Sequence, residues 1–238
     1  MVPKMSKRRP LSPLPRLRAR GDSVEVDRVE LTDLTPALLP YLGQVAYLQL
    51  VVFESLSRLI SAAADLNEKA MLSETAGTVL TKQQGFVAEI RRAGEDPAEV
   101  MGPFTDAIDE FEKLTRGKDW AERLTSIYLT MGLLDDFFLR LSGGLPGDVG
   151  PRAAALLGAD SRDDVIIEIL QRAIAHDPRL ASRLAMWGRR LVGDTLLMAR
   201  SALHVTGDRK SDESRIEPVF TELIAAHTRR MDALGLTA

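Results

Sequence analysis

The chain contains no cysteine among its 238 residues. This absence excludes disulfides, zinc–thiolate sites, iron–sulfur ligation and thiol nucleophiles, and it is typical of a protein in a reducing compartment. Histidine occurs only three times, and aromatic residues make up 5% of the chain. No apolar run approaches the roughly 20 residues that a transmembrane helix needs. Prolines near the N-terminus interrupt any segment that could act as a signal peptide, so we expect a cytoplasmic protein.

The N-terminal segment is basic and rich in proline. Seven of the 31 Lys and Arg residues lie before Asp22, together with none of the 34 acidic residues. We expect residues 1–34 to form a disordered tail that binds RNA or another anionic surface through its cations. It lacks the aromatic residues that stack on bases, and a terminus without any binding role is an equal alternative. The cations are Lys4, Lys7, Arg8, Arg9, Arg16, Arg18 and Arg20.

Residues 35–236 have the spacing of a helical bundle. Apolar residues recur every three or four positions along four segments, at 36–64, 66–93, 98–115 and 119–141. The same spacing returns at 162–175, from Pro178 onward, and in a last helix after a polar break at 206–214. Such spacing over long helices predicts near-antiparallel packing of their apolar faces. Because no strand pattern is present, the sequence predicts an all-α bundle.

Three stretches resemble a known family. They are AYLQL at 46–50, DDFF at 135–138, and the segment 175–194 with its WGRRLVG motif. Over residues 40–205 the chain resembles the actinobacterial ferritin-like proteins that are called tRNA-hydroxylase-like. The resemblance implies a ferritin-like antiparallel four-helix bundle with additional helices. It also implies a centre of two iron ions that activates oxygen for hydroxylation.

The iron ligands that this resemblance implies are missing. Diiron bundles use Glu-x-x-His on two helices, because residues three apart share a helix face. None of the three histidines has an acidic residue three positions before it. Cations repel a metal ion and methionine suits soft metals, so we expect no metal, no cofactor and no catalytic residue. The family's ligand positions are occupied here by Gln49, Lys82, Gly85, Met131, Ala159 and Arg162.

The replaced ligands suggest a polar core in place of a metal centre. Lys82 and Arg162 would return positive charge to a core that retains Asp135 and Asp194. Buried charges persist in proteins when they are paired and hydrogen-bonded. The alternative is that Lys82 points into solvent. Adjacent helical residues point about 100° apart, so only one of Asp135 and Asp136 is expected to face inward.

The missing Glu-x-x-His motif favours a non-catalytic binding or scaffolding bundle. Such a bundle would pair with a second copy or with a ferritin-like homologue, because long apolar helices often bury a face in a dimer. One alternative is a diiron oxygenase, similar to tRNA hydroxylases, with an unconventional ligand set. Another is a carrier that holds a small ligand in the emptied core, which would require an apolar cavity.

Overall fold

The computed structural model describes residues 34–203 and 209–237, and for 209–211 it describes the backbone alone. The seven cations of the tail and His204 therefore lie outside the described residues, and the binding role of the tail stays a prediction. Leu34, which the sequence placed in the tail, is fully buried in the core. Thr35 donates a hydrogen bond to the carbonyl oxygen of Leu141 at 2.9 Å. The packed part of the chain therefore includes Leu34.

The described residues form helices and no strands, which confirms the all-α prediction. Short 3-10 turns at Gly102–Phe104 and Ser142–Gly144 connect some of the helices. Within these residues, no helix is long and apolar enough to cross a membrane. The helices are α1 (Leu38–Ser61), α2 (Leu66–Arg92), α3 (Pro97–Met101), α4 (Thr105–Thr115), α5 (Trp120–Leu141), α6 (Val149–Leu157), α7 (Asp163–His176), α8 (Pro178–Ser201) and α9 (Arg209–Ala233).

Aspartate side chains begin four of these helices. Asp65 and Asp119 each accept a hydrogen bond from the backbone N–H three residues later, at 2.9 and 3.0 Å. Asp96 and Asp177 also cap a helix, and each is followed by a proline in the first helical position. A capping carboxylate satisfies a free N–H group, and proline there lacks an N–H that would otherwise be unpaired. These signals explain why the predicted starts lie within a few residues of the observed ones.

Two predicted helices differ from the structure. The segment at 98–115 is divided into α3 and α4 by the 3-10 turn that contains Pro103, because proline cannot donate a backbone hydrogen bond. The last helix begins at Arg209, inside the break that was predicted at 206–214. The predicted break was wrong over 209–214, where the polar residues are compatible with a helix, and its first residues, 206–208, lie outside the described part of the chain.

The long helices α1, α2, α5 and α8 form the bundle, and α5 lies at its centre. Helix α5 packs against α1, α6, α7, α8 and α9, and most of its residues are buried. The core consists of two apolar clusters, one around Phe86 and Phe137 and the other around Leu56 and Leu124. The boundary between these clusters crosses α1, α2 and α5 near the middle of each helix. A group of polar side chains lies at this level.

Candidate functional site

A buried ion pair joins α2 and α5 in the middle of the bundle. The Nζ atom of Lys82 lies 3.1 Å from Oδ2 of Asp135. Lys82 is 2% exposed and Asp135 is 8% exposed. A lysine and an aspartate at such depth require each other, because an unpaired charge in an apolar core is strongly destabilising.

Gln49 of α1 completes what we call the polar triad: Gln49, Lys82 and Asp135. The Nε2 atom of Gln49 donates to Oδ1 of Asp135 at 2.7 Å, so both carboxylate oxygens have a partner. Lys82 also donates to the carbonyl oxygen of Leu157 at 3.4 Å, at the end of α6. The Oε1 atom of Gln49 is buried and has no hydrogen-bond partner in the described part of the chain. Four helices therefore converge on the triad.

Burial dominates the electrostatics of the triad. Removal from water raises the pKa of the Asp135 carboxyl above its ordinary value, because the charged form loses hydration. The positive charge of Lys82 and the hydrogen bonds from Lys82 and Gln49 act in the opposite direction and offset part of this rise. The ionised form of Asp135 therefore depends on its two partners.

The positions at which the resemblance implied iron ligands are distributed between the core and the surface. Gln49 and Lys82 belong to the triad, and Met131 is buried about one turn before Asp135 on α5. Gly85 lies against α6, where a Cβ atom at this position would lie 2.4 Å from Cδ2 of Leu156. A histidine at position 85 would therefore collide with Leu156 unless the leucine side chain or α6 moved.

Arg162 does not join the buried polar core. It precedes α7 in the left-handed region at φ 55°, and its guanidinium binds Glu74 at 2.7 Å. The two side chains are 38% and 58% exposed, so this is a surface ion pair. Ala159 is also exposed, in the loop between α6 and α7. The predicted role failed here because positions around this loop do not follow the periodicity of a helix.

Asp194 is likewise separate from the triad. It is half-buried on α8, while the next residue, Thr195, is buried and donates its hydroxyl to the Leu191 carbonyl oxygen at 2.7 Å. The buried face of α8 continues through Leu191, Thr195 and Ala199. The sequence analysis placed Asp194 in the core, but the buried face of α8 carries the next residue, Thr195, instead.

Two further acidic residues of α1 and α5 form ion pairs with arginines instead of joining the triad. Glu54 is exposed and lies 3.6 Å from Arg58. Asp136 accepts a hydrogen bond from Arg230 of α9 at 2.9 Å. Within residues 34–203 and 209–237, no three Asp, Glu or His side chains are grouped in a way that could hold a metal ion.

The donors around the triad do not fit a diiron centre. Two iron ions in such a bundle need several carboxylates and imidazoles that converge from four helices. The triad offers one carboxylate, one amide and an ammonium group that repels cations. The volume beside Gly85, a position at which the resemblance implied an iron ligand, is filled by Leu156.

Some features of this centre could not be read from the sequence. The Leu157 carbonyl reaches Lys82 and the Leu156 side chain packs against Gly85, both from α6, a segment for which the sequence suggested no role. Gln49 did carry a signal, because it interrupts the apolar stripe of α1 while being fully buried. Polar residues on an otherwise apolar stripe point to partners across the bundle.

Comparison with known families is consistent with this architecture. No curated protein matches the chain. The profile of a family that is described as Ferritin-like domain, actinomycetes, matches residues 35–212. The matched range contains α1 to α8, and therefore the whole polar triad. Since the match covers well over half of the sequence, the chain belongs to the family of actinomycete ferritin-like domains.

Proposed function

We propose that this protein is a ferritin-like bundle that works without a metal centre, as a binding or scaffolding protein and not as an enzyme. The observation that carries the proposal is the ammonium group of Lys82, which lies 3.1 Å from the Asp135 carboxylate at the middle of the bundle. A lysine there supplies the positive charge that a buried carboxylate needs. It also disfavours the binding of a second cation nearby, because like charges repel.

The contacts of the triad support a structural role for these residues. Asp135 accepts hydrogen bonds on both oxygens, and Lys82 donates to Asp135 and to Leu157. An iron ligand at Asp135 would need to release both partners. Binding by the surface of the bundle, to a second copy or to a ferritin-like homologue, would leave this core intact.

Metal content tests the proposal directly. The full chain should be expressed in iron-supplemented medium, purified without chelators, and analysed by elemental mass spectrometry. A known diiron protein expressed and purified in parallel controls for iron loading. We expect iron, manganese and zinc far below one ion per chain, in the wild type and in the Lys82→Met variant alike.

Two iron ions per chain in the wild type would overturn the proposal. That result would favour the alternative function, an oxygenase similar to tRNA hydroxylases with an unconventional ligand set. Iron in Lys82→Met but not in the wild type would show instead that Lys82 alone keeps metal out of a site that is otherwise competent.

A further inference from the structure

A cavity opens at the surface between α1, α4 and α5, next to the bundle core. Its volume is about 90 Å³. The inner wall is apolar and includes Val52, Phe111, Met131 and Leu134. Clefts lined by apolar side chains with a few polar groups at the edge are the usual form of small-molecule sites.

The hydroxyl groups in this wall already have partners. Ser126 accepts a hydrogen bond from Nε1 of Trp187 at 2.8 Å, and Thr130 donates to the Ser126 carbonyl at 2.8 Å. Thr115 donates to the carbonyl oxygen of Phe111 at 2.8 Å. A ligand group that enters the cavity therefore gains little from being polar, and this favours an apolar chain.

The mouth of the cavity carries an excess of positive charge. Three arginines line the cavity, Arg58, Arg116 and Arg123, with Glu112 as the acidic residue among the lining, and Arg58 also lies 3.6 Å from the exposed Glu54. Glu112 accepts hydrogen bonds from Arg58 at 3.3 Å and from Nε of Arg116 at 2.9 Å. Arg123 donates Nε to the Gly117 carbonyl, and no carboxylate of the described residues lies within ion-pair distance of its guanidinium.

A second cavity of about 180 Å³ lies farther toward the N-terminus of α1. Leu48 and Ile108 line both cavities, so these two side chains form the partition between them. The second cavity is lined by Phe104, Phe138 and Met198 among others. An apolar chain longer than the first cavity would therefore have to displace Leu48 or Ile108 to reach the second.

We propose that this cavity binds an amphipathic monocarboxylate, with its unbranched apolar chain between α1, α4 and α5 and its carboxylate on Arg123. The assignment rests on the proposed function, since it takes the bundle as a binding protein with no metal chemistry. The planar guanidinium group of arginine matches a carboxylate in geometry as well as in charge. The apolar wall selects the chain, and the arginine selects the sign of the head group.

Sodium octanoate is a suitable probe, with 1-octanol and octylammonium as ligands that share its chain. Isothermal titration of the full-length protein should show saturable octanoate binding, with weaker binding of octanol and the weakest of octylammonium. Arg123→Gln should weaken octanoate binding about tenfold, as expected for one charged hydrogen-bonding partner, and leave octanol unchanged. Arg179→Gln, a change at an exposed arginine of α8 away from the cavity, should alter neither.

Val51→Phe tests the location, because Val51 lines the cavity and a larger side chain there should reduce the binding of octanoate and octanol together. If this variant does not fold, the comparison of Arg123→Gln with Arg179→Gln still shows whether octanoate binds at this cavity. Absence of octanoate binding, or equal binding of octanoate and octylammonium, would overturn the inference. Metal analysis of the same samples separates the two proposals: metal-free protein that does not bind octanoate refutes only the cavity, whereas two irons per chain refute the proposed function.

Discussion

Replacing Lys82 by methionine tests the central ion pair. Methionine has similar length and fits an apolar core, so the change removes the charge and the hydrogen bonds with little change in volume. Asp135 would then be left buried with Gln49 as its one remaining partner in the triad. Removing one member of a buried ion pair typically costs about 3–5 kcal/mol, because the other charge is left uncompensated. For a domain of this size we expect the melting temperature to fall by about 10 °C.

The matched control is Lys113→Met on α4. Lys113 lies 3.7 Å from Glu110 in an ion pair whose side chains are both more than half exposed. Exposed pairs contribute little, so urea denaturation should show almost no change for this variant. The double variant Lys82→Met/Asp135→Asn should lose less stability than the two single variants together, since the asparagine amide needs no counter-charge and its oxygen still accepts from Gln49.

The pH dependence of the Lys82→Met variant follows from the same pair. The pKa of Asp135 is higher in the folded state than its ordinary value of 3.8, so the folded protein holds this proton more tightly than the unfolded chain does. The stabilisation from this proton is fully present below pH 3.8 and is lost as the pH rises through the folded pKa. In the Lys82→Met variant the interaction that lowers this pKa is absent, so the folded pKa is higher and stability continues to fall up to a higher pH. The stability difference from wild type should therefore grow with pH, by at most about 1.4 kcal/mol per pH unit.

Urea denaturation at pH 5 and pH 7 measures this difference. Equal stability of Lys82→Met and wild type at both values would refute the reasoning. It would mean that Lys82 reaches solvent in the folded protein and that Asp135 needs no cation. A large loss that is the same at both values would point to packing defects instead of an unpaired carboxylate.

Two further predictions concern the packing around the bundle core. Gly85→His should lower stability by about 1–3 kcal/mol in thermal melts, because its Cβ would lie 2.4 Å from Leu156, and Leu156→Ala should restore part of the loss. His227 of α9 is buried and lies 3.1 Å from the Gly188 carbonyl; burial lowers its pKa, the hydrogen bond to Gly188 offsets part of this, and the positive charge of Arg230 lowers it again. Because the folded pKa of His227 is below its ordinary value of 6.5, the neutral ring stabilises the fold above pH 6.5, and this stabilisation should be lost as the pH falls through the folded pKa. The His227→Gln variant should show a weaker pH dependence in thermal melts between about pH 7 and pH 5.

Periodicity alone predicted much of the bundle. The apolar stripes of α1, α2 and α5 are buried as the spacing indicates, because each of these helices has a regular three-to-four repeat. The prediction failed on α8, where Asp194 was expected in the core but is half-buried, while the next residue, Thr195, is buried. Which face of α8 is buried is set by its packing against α5 and the other helices that it contacts.

The sequence by itself determined the helical class, the capped helix starts and the absence of Glu-x-x-His motifs. These are local properties, set by composition and by residues within a few positions of each other. The partners of each buried charge were decided by the tertiary structure. Lys82 and Asp135 are 53 residues apart along the chain and meet at 3.1 Å, whereas Arg162 binds Glu74 at the surface. The cavity beside α4 likewise depends on how separate helices pack, because a void is a property of several surfaces together and of no single segment.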